Sequence, residues 1–155
     1  MIIEENIVNQ LILKDLRLSL AESCTGGLLA NRITNIAGSS QCFNTGFVTY
    51  SNEAKTKLLK VPAELLKRKG AVCEDVALLM AKNVRKSTQS DLGIGITGIA
   101  GPDGGTKSKP VGLVYIAIAS NLESLCLKCQ FEGTRTSIKR QASTQALKLV
   151  WEFIG

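Results

Sequence analysis

Three short polar segments carry the side chains that could do chemistry, and each follows directly on a stretch that reads as a β-strand. They are Glu22-Ser23-Cys24-Thr25-Gly26-Gly27, Tyr50-Ser51-Asn52-Glu53-Ala54-Lys55, and Thr97-Gly98-Ile99-Ala100-Gly101-Pro102-Asp103-Gly104-Gly105. The chain contains no histidine. That excludes Ser-His-Asp and Cys-His catalysis, histidine-ligated metal and imidazole acid–base chemistry. A serine nucleophile therefore needs another base, and a lysine desolvated in a pocket can be that base because burial lowers its pKa.

Ser23 stands at a strand-to-helix turn. By position alone, the commoner role there is a helix N-cap whose hydroxyl accepts from a first-turn N–H. The alternative is a nucleophile, with the N–H groups of Thr25, Gly26 and Gly27 stabilising an oxyanion and the glycines letting substrate approach the backbone. Cys24 competes as nucleophile, against the ordinary role of a buried structural thiol. Lys55 is either a solvated helix lysine or the base just described. Tyr50 either packs or offers its hydroxyl to that ammonium or to substrate. Thr97 either ends its strand or donates to substrate or to the Ser–Lys pair. The glycine-rich third segment is neither a Walker A loop nor GxGxxG; it reads as a long surface turn or as a set of N–H groups for phosphate or carboxylate.

The elements that must position these groups follow from periodicity. Residues 2–14, 52–59, 63–69, 74–87 and 136–153 carry helical apolar spacing, as does the stretch from Leu28 to a stop at Gly38. Leu16, Leu18 and Leu20 alternate with Arg17 and Ser19 as a strand, and residues 42–50 read as a second, bulged at Gly46. Residues 92–97 form a buried-strand run, and residues 111–119 and 122–131 pair as an antiparallel hairpin across Ser120-Asn121. The pattern predicts a three-layer α/β/α domain spanning residues 1–155, with a mixed, mainly parallel sheet and a C-terminal β-hairpin. Ligands in such sheets collect beyond the carboxyl ends of strands, so the three segments are expected to converge.

Composition narrows the classes. The chain has 155 residues, 45% hydrophobic and 21% charged, which suits one domain with a core that needs no staples. No apolar run approaches the ~20 residues of a membrane span. Glu4 and Glu5 stand where a signal peptide would be basic, so a cytoplasmic location is expected. Five scattered cysteines fit reduced thiols; Cys126 and Cys129 form one CxxC without further ligands, so neither a metal nor another cofactor is expected. The net charge of +6 is dispersed, and four Phe, two Tyr and one Trp are few for base stacking. Nucleic acid is therefore disfavoured as a partner.

In the same residues the chain resembles the CinA C-terminal domain, or PncC-type nicotinamide-nucleotide amidases. The matching text is AESCTGGLLA, IAGSS, FVTYSNEAK, KGAV, ITGIAGPDGG and KPVGLVYIAI, in order from about Ala21 to Ala119. The resemblance implies hydrolysis of the amide of nicotinamide mononucleotide to nicotinic acid mononucleotide and ammonia, without a metal, by a self-associating α/β/α domain. It implies that Ser23 is the nucleophile and Lys55 the general base, with Tyr50, Thr97 and Arg135 supporting that pair or binding the nucleotide. Gly98, Gly101, Gly104 and Gly105 then join Thr25, Gly26 and Gly27 on the substrate side, and Arg135 is expected to clamp the phosphate. Larger members carry an additional N-terminal domain, so this chain resembles the stand-alone form. It departs from the family text at Thr134, where Asp is frequent, at Lys139 (Arg), Lys60 (Gly) and Cys73 (Ser). A non-hydrolysing nucleotide-binding protein linked to competence or DNA-damage physiology is the alternative reading.

Overall fold

The computed structural model describes residues 2–155. Its elements in chain order are α1 (Ile3–Leu13), β1 (Leu18–Glu22), α2 (Leu28–Thr34), β2 (Phe43–Val48), α3 (Asn52–Leu59), α4 (Ala63–Lys69), α5 (Glu74–Thr88), β3 (Leu92–Gly98), β4 (Leu113–Ala119), β5 (Ser124–Gln130) and α6 (Arg135–Ile154). The five strands form one sheet in the order β2-β1-β3-β4-β5. β1 pairs in parallel with both β2 and β3, whereas β4 is antiparallel to β3 and β5. Only β4 runs against the rest, giving a mixed sheet with a parallel centre.

The two faces of this sheet are built differently. Leu18, Leu20, Ile94, Ile96, Val114, Ile116 and Ile118 point to one side and form a core with α1, α2 and α6. On the other side stand Ala21, Ala117 and Ala119, packed with α3, α4 and α5. Gly93 and Gly95 belong to that second face. A Cβ on Gly95 would lie 2.4 Å from the Ala77 carbonyl, so the missing side chain lets α5 seat its backbone directly on β3. On the strands, branched side chains line one face, while alanine and glycine at Ala21, Gly93, Gly95, Ala117 and Ala119 leave the other open to the helices.

Several boundaries differ from the sequence reading, each for a physical reason. β1 continues through Glu22 and is buried along its whole length, because β2 and β3 flank it and helices cover both faces. The polar Ser19 survives there because its hydroxyl lies 2.6 Å from that of Ser90. The irregularity in β2 falls opposite the Leu18/Ser19 step, which skips Asn44, and not at Gly46. Gly46 instead makes room for the Phe43 ring, which a Cβ would meet at 3.2 Å. α2 stops at Thr34, and Gly38 opens a separate 3₁₀ turn at residues 39–41.

Lys60 closes α3 in the left-handed region, with φ of 56°. Glycine takes this conformation without the Cβ–carbonyl conflict. Lys60→Gly is therefore expected to stabilise the fold by about 0.5–1 kcal/mol, less than the full conflict because glycine also gains freedom in the unfolded chain. A lower urea midpoint than the native protein would contradict this.

Candidate active site

The ends of β1 and β3, the turn after β2 and the start of α6 meet around one cleft of 210 Å³, lined by Ser23, Tyr50, Asn52, Lys55, Thr97 and Arg135, with Cys24, Ala71, Val72, Gly98 and Ala100. A larger groove of 460 Å³ between α3 and α4 is lined by Asn52, Glu53, Thr56, Lys57, Ala63, Leu66 and Lys67. It holds no paired nucleophile and base, so the smaller cleft is the candidate site.

Alternation along β1 aims Glu22 into the same layer as Leu18 and Leu20, where α2 begins. Its two carboxylate oxygens accept from the N–H groups of Leu29 and Ala30, each at 3.0 Å. Glu22, not Ser23, therefore satisfies the first turn of α2, and its charge complements the positive end of that helix. Ser23 is displaced from the cap because Gly27, at φ 97°, delays the helix to Leu28. The acidic residue just ahead of a Gly-Gly turn was the available sequence signal. Glu22→Ala is expected to cost about 1–3 kcal/mol, since both amides lose a charged acceptor in a buried place. An unchanged thermal midpoint would refute it.

Freed from capping, the Ser23 hydroxyl meets Lys55. Lys55 Nζ lies 2.9 Å from Ser23 Oγ, donates to the Thr49 carbonyl at 2.9 Å and to the Tyr50 carbonyl at 3.3 Å. Lys55 shares the buried face of α3 with Leu59, one turn on, and is only 1% exposed. Ser51 caps that helix by accepting from the Ala54 N–H at 3.0 Å, which fixes the turn that delivers the lysine. Among the described residues no carboxylate lies within 4 Å of Lys55; the salt bridges are Arg32–Glu4 and Lys69–Asp75. Burial without a counter-ion pushes the Lys55 pKa below the ordinary 10.5.

The three partners of Nζ are all oxygens, which a charged lysine meets with its three N–H donors. A neutral lysine has two N–H bonds for the two carbonyls and keeps a lone pair for the serine hydroxyl. After accepting a proton, the same nitrogen has three donors for the same three oxygens. Nothing needs to rearrange between the two states.

Cys24 is no rival. It is 6% exposed, and burial pushes its thiol up to about 12, leaving almost no thiolate near neutral pH. Tyr50, 60% exposed, offers its carbonyl to Lys55, while its hydroxyl accepts from Arg135 Nη2 at 2.8 Å. Arg135 Nη1 donates to the Gly101 carbonyl at 2.7 Å, so this side chain straps the post-β3 loop to the post-β2 turn. Thr97 donates to the Ala71 carbonyl at 2.9 Å rather than to the Ser–Lys pair; it ties β3 to the residues entering α5.

The glycines divide. The Gly26 N–H donates back to the Ser23 carbonyl at 3.0 Å and leaves the oxyanion set. The N–H groups of Cys24, Thr25 and Gly27 have no acceptor among the described residues. Gly98 and Gly101 are needed for packing: a Cβ would stand 2.6 Å from Val114 Cγ2 at the first and 2.4 Å from Val111 Cγ1 at the second. Gly104 and Gly105 lie in the exposed part of the loop and do not line the cleft. Asn52, Ala71 and Val72 line it although the sequence reading gave them no role; only their place in the YSNEAK and KGAV text hinted at one.

A parallel-centred α/β/α fold with a buried serine–lysine contact beyond its strand ends defines the class. The chain belongs to the CinA family: the CinA C-terminal domain model matches residues 2–154. It is 55% identical over 130 residues to a CinA-like protein of Geotalea uraniireducens, covering 84% of this chain and 31% of that protein. It is 49% identical over 148 residues to a CinA-like protein of Kosmotoga olearia, covering 96% and 36%. The chain thus spans about a third of the curated relatives it matches. Among solved structures it superposes on the competence/damage inducible protein CihA from Agrobacterium tumefaciens with a TM-score of 0.91, at 37% identity, covering 98% of this chain and 96% of that one. A CinA superfamily protein from Klebsiella pneumoniae gives 0.94 at 33% identity, covering 98% and 95%. Among the described residues no helix is long and apolar enough to cross a membrane, and no cluster of three or more metal-ligating side chains occurs.

Proposed function

We propose that the chain is an amidohydrolase that deamidates nicotinamide mononucleotide through Ser23 and Lys55. The observation that carries this reading is the buried Lys55 amine, without a counter-ion, 2.9 Å from the Ser23 hydroxyl. Neutral Lys55 takes the hydroxyl proton as Ser23 Oγ attacks the carboxamide carbon. The oxyanion rests on N–H groups of the Cys24–Gly27 turn that lack other acceptors. The C–N bond then breaks as Lys55 returns its proton to the departing nitrogen, releasing ammonia and leaving a seryl ester. Water attacks that ester, Lys55 removes a proton from it, and the carboxylate product departs as Ser23 regains its hydrogen.

The cleft volume supports an aromatic amide as the buried part. At 210 Å³ it is below the roughly 300–1,000 Å³ of sites that enclose a drug-sized ligand. The pyridine carboxamide goes inside, and the ribose phosphate extends over the rim. Dispersed positive charge on the chain suits an anionic substrate. The test is ammonia release from nicotinamide mononucleotide, nicotinamide riboside and free nicotinamide. Turnover of the mononucleotide supports the reading; saturable binding without ammonia replaces it with the nucleotide-binding alternative.

A further inference from the structure

Two stretches of the sequence, KGAV at residues 69–72 and KPVG at residues 109–112, supply neither member of the Ser–Lys pair. The fold brings them together: Lys109 Nζ donates to the Lys69 carbonyl. That carbonyl ends α4, where unpaired carbonyls and the helix dipole favour a cation. Gly70, at φ 77°, leaves the approach open, since a Cβ there would lie 3.3 Å from Lys109 Nζ. Directly after it, Ala71 and Val72 line the Ser23–Lys55 cleft, in a connection that belongs to no helix or strand. Among the described residues neither makes a backbone–backbone hydrogen bond. Side chains hold this wall instead. Thr97 Oγ1 donates to the Ala71 carbonyl at 2.9 Å, and Lys109 grips the carbonyl two residues earlier. The Lys69–Asp75 ion pair spans the same connection, but its side chains are 49% and 45% exposed, so it adds little. The glycine-rich loop is thereby fastened at two points, by Arg135 at Gly101 and by Lys109 at the end of α4.

We infer that Lys109 is a positioning residue that fixes the cleft wall at Ala71 and Val72, against which the flat face of the substrate's ring is held. Lys109 does not itself line the cleft, so it acts through the wall and not on the reacting atoms. The inference rests on the amidase reading for the ring, whereas the fastening of the wall is independent of it. Because an apolar wall touches the ring alike in the bound and the reacting state, loosening it weakens binding more than turnover.

The test compares Lys109→Met and Lys109→Arg with the native protein. In ammonia release from nicotinamide mononucleotide, Lys109→Met is expected to raise KM about 10-fold while kcat stays within about threefold. Lys109→Arg keeps a charged donor for the Lys69 carbonyl and is expected to recover most of that loss. Val72→Ala trims the wall itself. Combined with Lys109→Met it should raise KM by less than the product of the two single effects, because both act through one contact. A readout without turnover uses Cys73, which is partly buried, with its thiol 3.6 Å from the Gly70 carbonyl. Loosening the connection should speed its alkylation by iodoacetamide at least about threefold in Lys109→Met, followed by peptide mass. An unchanged KM overturns the inference, as do effects of Lys109→Met and Val72→Ala that simply multiply. A fall in kcat that matches a lowered thermal midpoint overturns it too, by marking a merely structural role. If the native protein releases no ammonia but Cys73 labelling depends on residue 109, the amidase reading falls and the fastening of the wall stands. Labelling that ignores residue 109 removes the fastening.

Discussion

Replacing Ser23 with alanine is expected to lower kcat/KM for nicotinamide mononucleotide by at least about 10⁴-fold, the scale seen when a covalent nucleophile is removed from a hydrolase. The loss is large because no neighbour can substitute. Cys24 is adjacent in sequence, but its thiol is held up to about 12 by burial. Folding is expected to change little: Ser23 Oγ is one of three partners of Lys55, and the carbonyls of Thr49 and Tyr50 remain. One lost hydrogen bond costs on the order of 1 kcal/mol. Ammonia release and a thermal midpoint measured together separate the two effects. Activity within tenfold of native would remove Ser23 from the chemistry, and a collapsed midpoint would show that the turn depends on its hydroxyl.

The sheet and its helices were legible because their signals are local. The run from Leu92 to Thr97 admits only a buried strand, and Val76, Met80 and Val84 put α5 on the sheet by spacing alone. The site was legible in residue type but not in role. Whether Ser23 caps a helix depends on where α2 starts, which Gly27 and the carboxylate of Glu22 decide together. The hydroxyl of Thr97 and the guanidinium of Arg135 find carbonyls 26 and 34 residues away, and no nearest-neighbour rule reaches that far. Lys55 is the instructive case. Its neighbours Glu53, Thr56 and Lys57 read as a solvated surface, but Leu59 shares its face, and that pairing was the one sign of a buried amine.

That burial makes Lys55 the second large effect. Lys55→Met is expected to lower kcat/KM by about 10²–10⁴-fold, the usual contribution of a positioned base. Lys55→Arg is expected to fall as far, because a guanidinium keeps the charge but does not give up its proton near neutral pH. An active arginine variant would mean that positive charge alone is required. In the native protein kcat/KM should rise with pH through the lowered pKa of Lys55, below the ordinary 10.5, and neither variant should retain that limb. Stability carries the same signature. Between the lowered native pKa and 10.5 the unfolded chain holds the proton that the folded chain has released, so stability contributed by this group increases with pH across that window. Below the native pKa the buried ammonium is a constant cost; above 10.5 it vanishes from the difference. Urea midpoints of the native protein should therefore climb relative to Lys55→Met as pH rises from the lowered native pKa towards 10.5. Parallel curves would place the amine at its ordinary pKa and leave Ser23 without a base.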